Sequence, residues 1–184
     1  MNDLQATAIA RCYRLRARVY TDARGLFLKT FEQAAASALP FGVPQAEEFV
    51  TVSRRRVLRG IHFQVPPRDQ DKLVLCLSGT VLDVVLDLRV GSASYGKHES
   101  FELSGEAGDM VFLPRGLGHA FYVTSESATL AYKVSCAYSP ECDTGIHWAS
   151  AGISWPDAEP VLSARDSALP PFRTFHSPFR YEDT

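Results

Sequence analysis

Between residues 50 and 134, apolar side chains fall either at every second position or in short unbroken runs, and turn-forming residues separate them. Val50-Thr51-Val52-Ser53 alternates with the period of a strand that has one buried face. Runs at 73–77 and 81–88 are apolar nearly throughout, with Gly79 between them, and further runs fall at 99–103, 110–113, 121–124 and 129–134. Breakers occupy 90–92, 105–108, 114–118 and 125–127. Short strands punctuated this way predict an all-β chain, a jelly-roll β-barrel or sandwich with a few short helices. One early helix is expected over 31–39, "FEQAAASAL", which is Ala-rich and stopped by Pro40. From residue 157 onward, prolines recur without periodicity, so the tail is expected to wrap the barrel in short turns. The 184 residues are therefore expected to form a single domain.

Composition narrows the partners. A net charge of -2 gives no electrostatic case for nucleic acid or an anionic membrane surface. The local cluster Arg54, Arg55, Arg56 and Arg59 fits a solvated face, or a site for one phosphorylated small molecule. No apolar run is long enough for a bilayer, and "MNDLQATAIARC" lacks the layout of a secretion signal. Cys12, Cys76, Cys136 and Cys142 are scattered with no CxxC pair, as expected of reduced thiols in the cytoplasm.

The candidate chemistry centres on "VLRGIHFQ", residues 57–64. His62 is followed by Phe63 and Gln64, so there is no His-x-His pair. His119 follows a turn containing Pro114 and Gly116, and two histidines from separate strands could face one cavity. A third ligand is missing, and no metal or other cofactor is expected. Other ionisable groups stand nearby: Arg59, Lys72, and Asp83 and Asp87 on one side of a strand. In "TLAYKVS", alternation places Leu130, Tyr132 and Val134 on one face. If that face lines the barrel, a phenol hangs beside an imidazole and an ammonium. Such a trio suits proton transfer next to a carbonyl, with a base, a cation for the enolate oxygen and an acid across the ring. Spacing alone favours Tyr132 as a core aromatic and Lys72 as a surface lysine over the catalytic reading.

"VLRGIHFQ", "QDKLV", "GTVLDVVLDLRVGSASYGK", "LPRGLGHAFYV", "YKVSCAYSPECDTGIHW" and "ISWP" together resemble the dTDP-4-dehydrorhamnose 3,5-epimerase family over about residues 20–166. The resemblance implies a cupin-type barrel, a homodimer that exchanges N-terminal strands, no metal, and epimerisation of a nucleotide-linked 4-keto-6-deoxy sugar at C3, C5 or both. It implies His62 as base, Asp166 as its carboxylate partner, Lys72 as enolate stabiliser and Tyr132 as opposite-face acid. It further implies His119 and Arg59 on the sugar and pyrophosphate, Tyr138 stacked on the nucleobase, and Arg165 as a basic contact. Arg24 and Phe27, in "DARGLF", correspond to the stretch lent to a neighbour's pocket. Gln64 and Asp83 are expected among the substrate contacts.

Three positions depart from the family pattern. Lys29 stands where a carboxylate is usual, and Glu47 and Phe49 replace amide side chains in "QDN". A carboxylate accepts hydrogen bonds and Phe can only pack, so the base-reading shell is altered. The resemblance implies a dTDP-linked substrate of the 4-dehydro-6-deoxyglucose type, and these changes raise the alternative of another nucleotide (CDP or GDP) or of thymidine held differently. Single-position epimerisation and a non-catalytic sugar-nucleotide-binding cupin are the alternatives.

Overall fold

A computed structural model describes residues 2–182. Thirteen strands follow one another: β1 (Asn2–Ala6), β2 (Tyr13–Arg16), β3 (Arg18–Asp22), β4 (Gly25–Lys29), β5 (Glu47–Arg54), β6 (Leu58–Gln64), β7 (Lys72–Ser78), β8 (Thr80–Asp87), β9 (His98–Ser104), β10 (Asp109–Leu113), β11 (Leu117–Val123), β12 (Ser127–Val134) and β13 (Asp143–Gly145). Helix α1 (Gln33–Ala36), helix α2 (Ala164–Ser167) and a 3-10 turn at Phe172–Thr174 complete the set.

Two antiparallel sheets face each other. One has the order β1-β2-β10-β7-β12-β5 and the other β13-β6-β11-β8-β9, while β3 and β4 form a separate hairpin. Their inner faces meet in a core of Val74, Val85, Leu103, Val111, Phe121 and Leu130, among others. Each such buried apolar side chain contributes about 1.5–3 kcal/mol. A second cluster, with Ile61, Phe63, Leu86 and Ile146, lies between the outer face of the five-stranded sheet and the tail, which adds Trp155, Phe172, Phe175 and Phe179. A third seals the other sheet, where Leu73, Leu75, Met110 and Phe112 pack under Leu28, Phe41 and Val43.

Burial on both faces explains why 81–88, apart from Asp83 and Asp87, and 110–113 read as apolar runs rather than alternating ones. The jelly-roll sandwich agrees with the expected fold, and the tail wraps it in turns. The expected helix over 31–39 shrinks to Gln33–Ala36. It buries no residue and Glu32 gives no side-chain cap at its start, so alanine propensity carries it no further than one turn. β1 to β4 and β13 had no counterpart in the sequence pattern, and β11 begins at Leu117, inside a stretch assigned to a breaker.

Candidate active site

One end of the sandwich holds a cavity of about 280 Å³ whose wall includes β5, β6, β7, β11 and β12. The β6 segment sets its centre. His119 of β11 pairs with His62, but Phe121 pairs with Arg59, so the register slips by one residue between them. Gly60 sits at the slip with φ +128, and a Cβ there would lie 2.4 Å from Ala120 Cβ. Only glycine satisfies both the backbone and the space. The irregularity lets Arg59 and His62 line the same cavity despite their odd spacing.

Two imidazole–carboxylate pairs flank the cavity. His62 Nε2 lies 2.6 Å from Asp166 Oδ1, and His119 Nε2 lies 2.7 Å from Asp83 Oδ2. A carboxylate accepts, so in each neutral ring Nε2 carries the proton and Nδ1 keeps the lone pair. Asp166 is buried at the start of α2. Burial pushes its carboxyl up, but the bonds from His62, the Gly60 N–H and Ser163 outweigh that and hold it below the usual carboxylate range. Lys72 opens β7 and reaches the His62 carbonyl oxygen at 3.4 Å. Burial pushes its ammonium down to about 8, with Asp143 opposing the shift and Arg165 adding to it. Tyr132 of β12 projects inward, and burial raises its phenol so that it stays protonated, against a smaller lowering influence of Thr51.

The cavity gathers His62, Lys72, Tyr132, Arg59, His119, Tyr138, Glu47, Phe49, Gln64 and Arg165. Arg59 Nε donates to Ser53 Oγ at 2.9 Å, and Tyr138 stands at the rim, 62% exposed. Asp166 is reached through His62 rather than directly. The other expected residues either shape the wall of this cavity or stand apart from it. Asp83 is fully buried and does not line the cavity; it is spent on orienting His119. Arg24, Phe27 and Lys29 belong to the β3–β4 hairpin and form no part of this cavity. Gln64 does reach it, yet its amide donates to the Arg68 and Ala137 carbonyls and accepts from the Ser139 N–H, so it shapes the Tyr138 loop. Glu47 does similar work by accepting from the Tyr138 N–H at 2.7 Å.

Sequence reading missed Thr51, Gln70 and Asp143 in the cavity wall. Thr51 was findable, because it lies two residues from Phe49 on the same strand face. Asp143, paired with Arg165 at 2.7 Å, sits inside the quoted "ECDTG" segment. Gln70 opens the "QDKLV" motif just before β7 and carries no periodic signal. Among the described residues, no three His, Cys, Asp or Glu side chains gather closely enough to hold a metal ion.

A family model described as dTDP-4-dehydrorhamnose 3,5-epimerase matches residues 6–174. The dTDP-4-dehydrorhamnose 3,5-epimerase of Sinorhizobium fredii is 37% identical over 182 residues, covering 96% of this chain and 93% of its own. The dTDP-4-dehydrorhamnose 3-epimerase of Streptomyces niveus is 42% identical over 150 residues, covering 79% of this chain and 72% of its own. Among solved structures, the dTDP-6-deoxy-D-glucose-3,5-epimerase of Legionella pneumophila in complex with dTDP-4-keto-L-rhamnose superposes with a TM-score of 0.90 at 32% identity, over 98% of both chains.

Proposed function

Because this chain belongs to the dTDP-4-dehydrorhamnose 3,5-epimerase family and is an isomerase, we propose that its cavity epimerises a dTDP-linked 4-keto-6-deoxyhexose beside the C4 ketone. His62 Nδ1 takes the proton from C3 or C5, and the C–H electron pair passes into an enolate whose oxygen faces the Lys72 ammonium. Tyr132 delivers its phenol proton to the opposite face of the same carbon, the enolate returns to the ketone, and solvent restores both groups. Asp166 keeps the His62 proton on Nε2 and balances the imidazolium that forms. Arg59 and Arg165 hold the pyrophosphate, His119 the sugar, and Tyr138 stacks on the base.

The observation that carries this reading is the 2.6 Å His62–Asp166 pair opening onto the cavity that Lys72 and Tyr132 also line. Solvent deuterium uptake tests it. In heavy water, wild-type enzyme should label the substrate at each inverted carbon, as read by NMR. Tyr132→Phe should still exchange protons while inversion stops. Wild-type exchange in His62→Ala would remove the base assignment. The Streptomyces niveus relative is a dTDP-4-dehydrorhamnose 3-epimerase, which favours a single-position variant as second reading, and the label pattern decides between them.

The working unit we infer is a cytoplasmic homodimer with exchanged N-terminal segments. Tyr20, Leu26 and Phe27 are exposed on the β3–β4 hairpin, and Val50 and Val52 are exposed on the edge strand β5. Apolar side chains on a projecting hairpin and an open sheet edge are what a second copy would cover. Arg24 and Phe27 then reach the neighbour's cavity.

A further inference from the structure

Phe49 does more than occupy a base-reading position. It is the direct cross-strand partner of Tyr132 on β5, and the two rings stack face to face at 4.7 Å between centroids and 12° between planes. On another side, the His119 ring meets Tyr132 edge-on at 6.0 Å and 71°. His119 is itself pinned by the fully buried Asp83 at 2.7 Å. The phenol oxygen lies on the ring axis, so spinning the ring leaves it in place. Only tilting the ring about Cα–Cβ moves the oxygen, and the Phe49 face blocks that tilt toward β5.

Phe49 is nevertheless 41% exposed and sits on an edge strand. Its ring belongs to none of the three core clusters, and the neighbour that fixes one of its faces is Tyr132. We propose that Phe49 is the positioning residue for Tyr132: it fixes the phenol oxygen at the distance from the sugar ring that proton return requires, and shields its far face from water. This rests on Tyr132 acting as the acid. Misplacing a proton donor slows the step it serves, while abstraction by His62 on the other side is untouched.

Phe49→Leu removes the flat face while keeping much of the apolar bulk, and Phe49→Tyr restores the face. For Phe49→Leu, solvent deuterium exchange should stay within about twofold of wild type while inversion falls about 3- to 10-fold. The exchange-to-inversion ratio therefore rises, and Phe49→Tyr should bring it back. Exchange and inversion falling together, or neither falling, would overturn the inference, because a structural or binding role lowers both equally. Should the Phe49→Leu protein fail to fold, Phe49→Met, which also lacks a flat face, is compared with Phe49→Tyr: a wild-type ratio in Tyr with a raised one in Met supports positioning, and equal ratios in both overturn it. Tyr132→Phe separates the two failures: if it inverts normally, the acid reading itself is lost. If it blocks inversion while Phe49→Leu keeps the wild-type ratio, only the positioning role is lost.

Discussion

Lys72 is the residue whose charge the surroundings control most directly. Its ammonium is held down to about 8, chiefly by burial. The cation is present below that pH and lost above it, so kcat/KM should fall as pH rises through about 8, with a slope of one proton. Arginine stays charged far higher, so Lys72→Arg should abolish that alkaline limb even though its rate is lower. A pH–rate profile of both proteins checks this; an alkaline limb unchanged in Lys72→Arg would show that another group sets it. Asp166 permits a sharper test, because its carboxylate is held ionised by His62, Gly60 and Ser163. Asp166→Asn can donate to His62 Nε2 as easily as accept, which lets the wrong tautomer form, and kcat should drop by about 10²- to 10⁴-fold. At this scale the sequence was informative about identities and poor about partnerships. His62, Lys72 and Tyr132 could be singled out from "RGIHFQ", "QDKLV" and "TLAYKVS". The stack on Phe49 and the Asp83–His119 pair depend on which strands lie side by side, and no local pattern encodes that.

At the scale of the element, β6 shows how one position organises several. Its register slip against β11 turns Arg59 and His62 toward one cavity, and Gly60 is the residue that permits it. Gly60→Ala would place a methyl 2.4 Å from Ala120 Cβ and 2.7 Å from the His119 carbonyl oxygen, at a backbone φ of +128. Denaturant unfolding should show a loss of about 2–4 kcal/mol, and residual activity should fall with the displaced His62. Gly42→Ala is the matched control: nothing lies within 4 Å of its Cβ position, and a change within about 0.5 kcal/mol is expected. The odd spacing of Arg59 and His62 demands such an irregularity once both are placed on one cavity. β3 and β4 were not legible in the sequence. Their residues are half-buried or exposed along the whole hairpin, so neither alternation nor an apolar run marks them. The overestimated helix over 31–39 failed for the opposite reason, a strong local propensity with no apolar face to bury.

For the whole molecule, the proposed exchange of hairpins fits Arg24, Phe27 and Lys29 standing apart from the cavity of their own chain. Arg24 carries its hairpin charge almost entirely in solvent, paired with Asp22 two residues away. Exposed Tyr20, Leu26 and Phe27 beside it make a surface that one copy leaves uncovered. If the hairpin completes a neighbour's site, each complete site needs His62 from one protomer and Arg24 from the other, and mixed dimers can show it. Arg24→Ala damages the arm a protomer lends; His62→Ala damages the cavity it keeps. Each variant alone should be nearly inactive, since every site lacks one part. Equal amounts unfolded together and refolded would give about half mixed dimers, each with one intact site, so about a quarter of all sites should recover wild-type turnover. That fraction should survive dilution for as long as the dimers do. No recovery, or an Arg24→Ala enzyme that is fully active alone, would mean that the hairpin serves its own chain or none, and the cavity would then be complete without it.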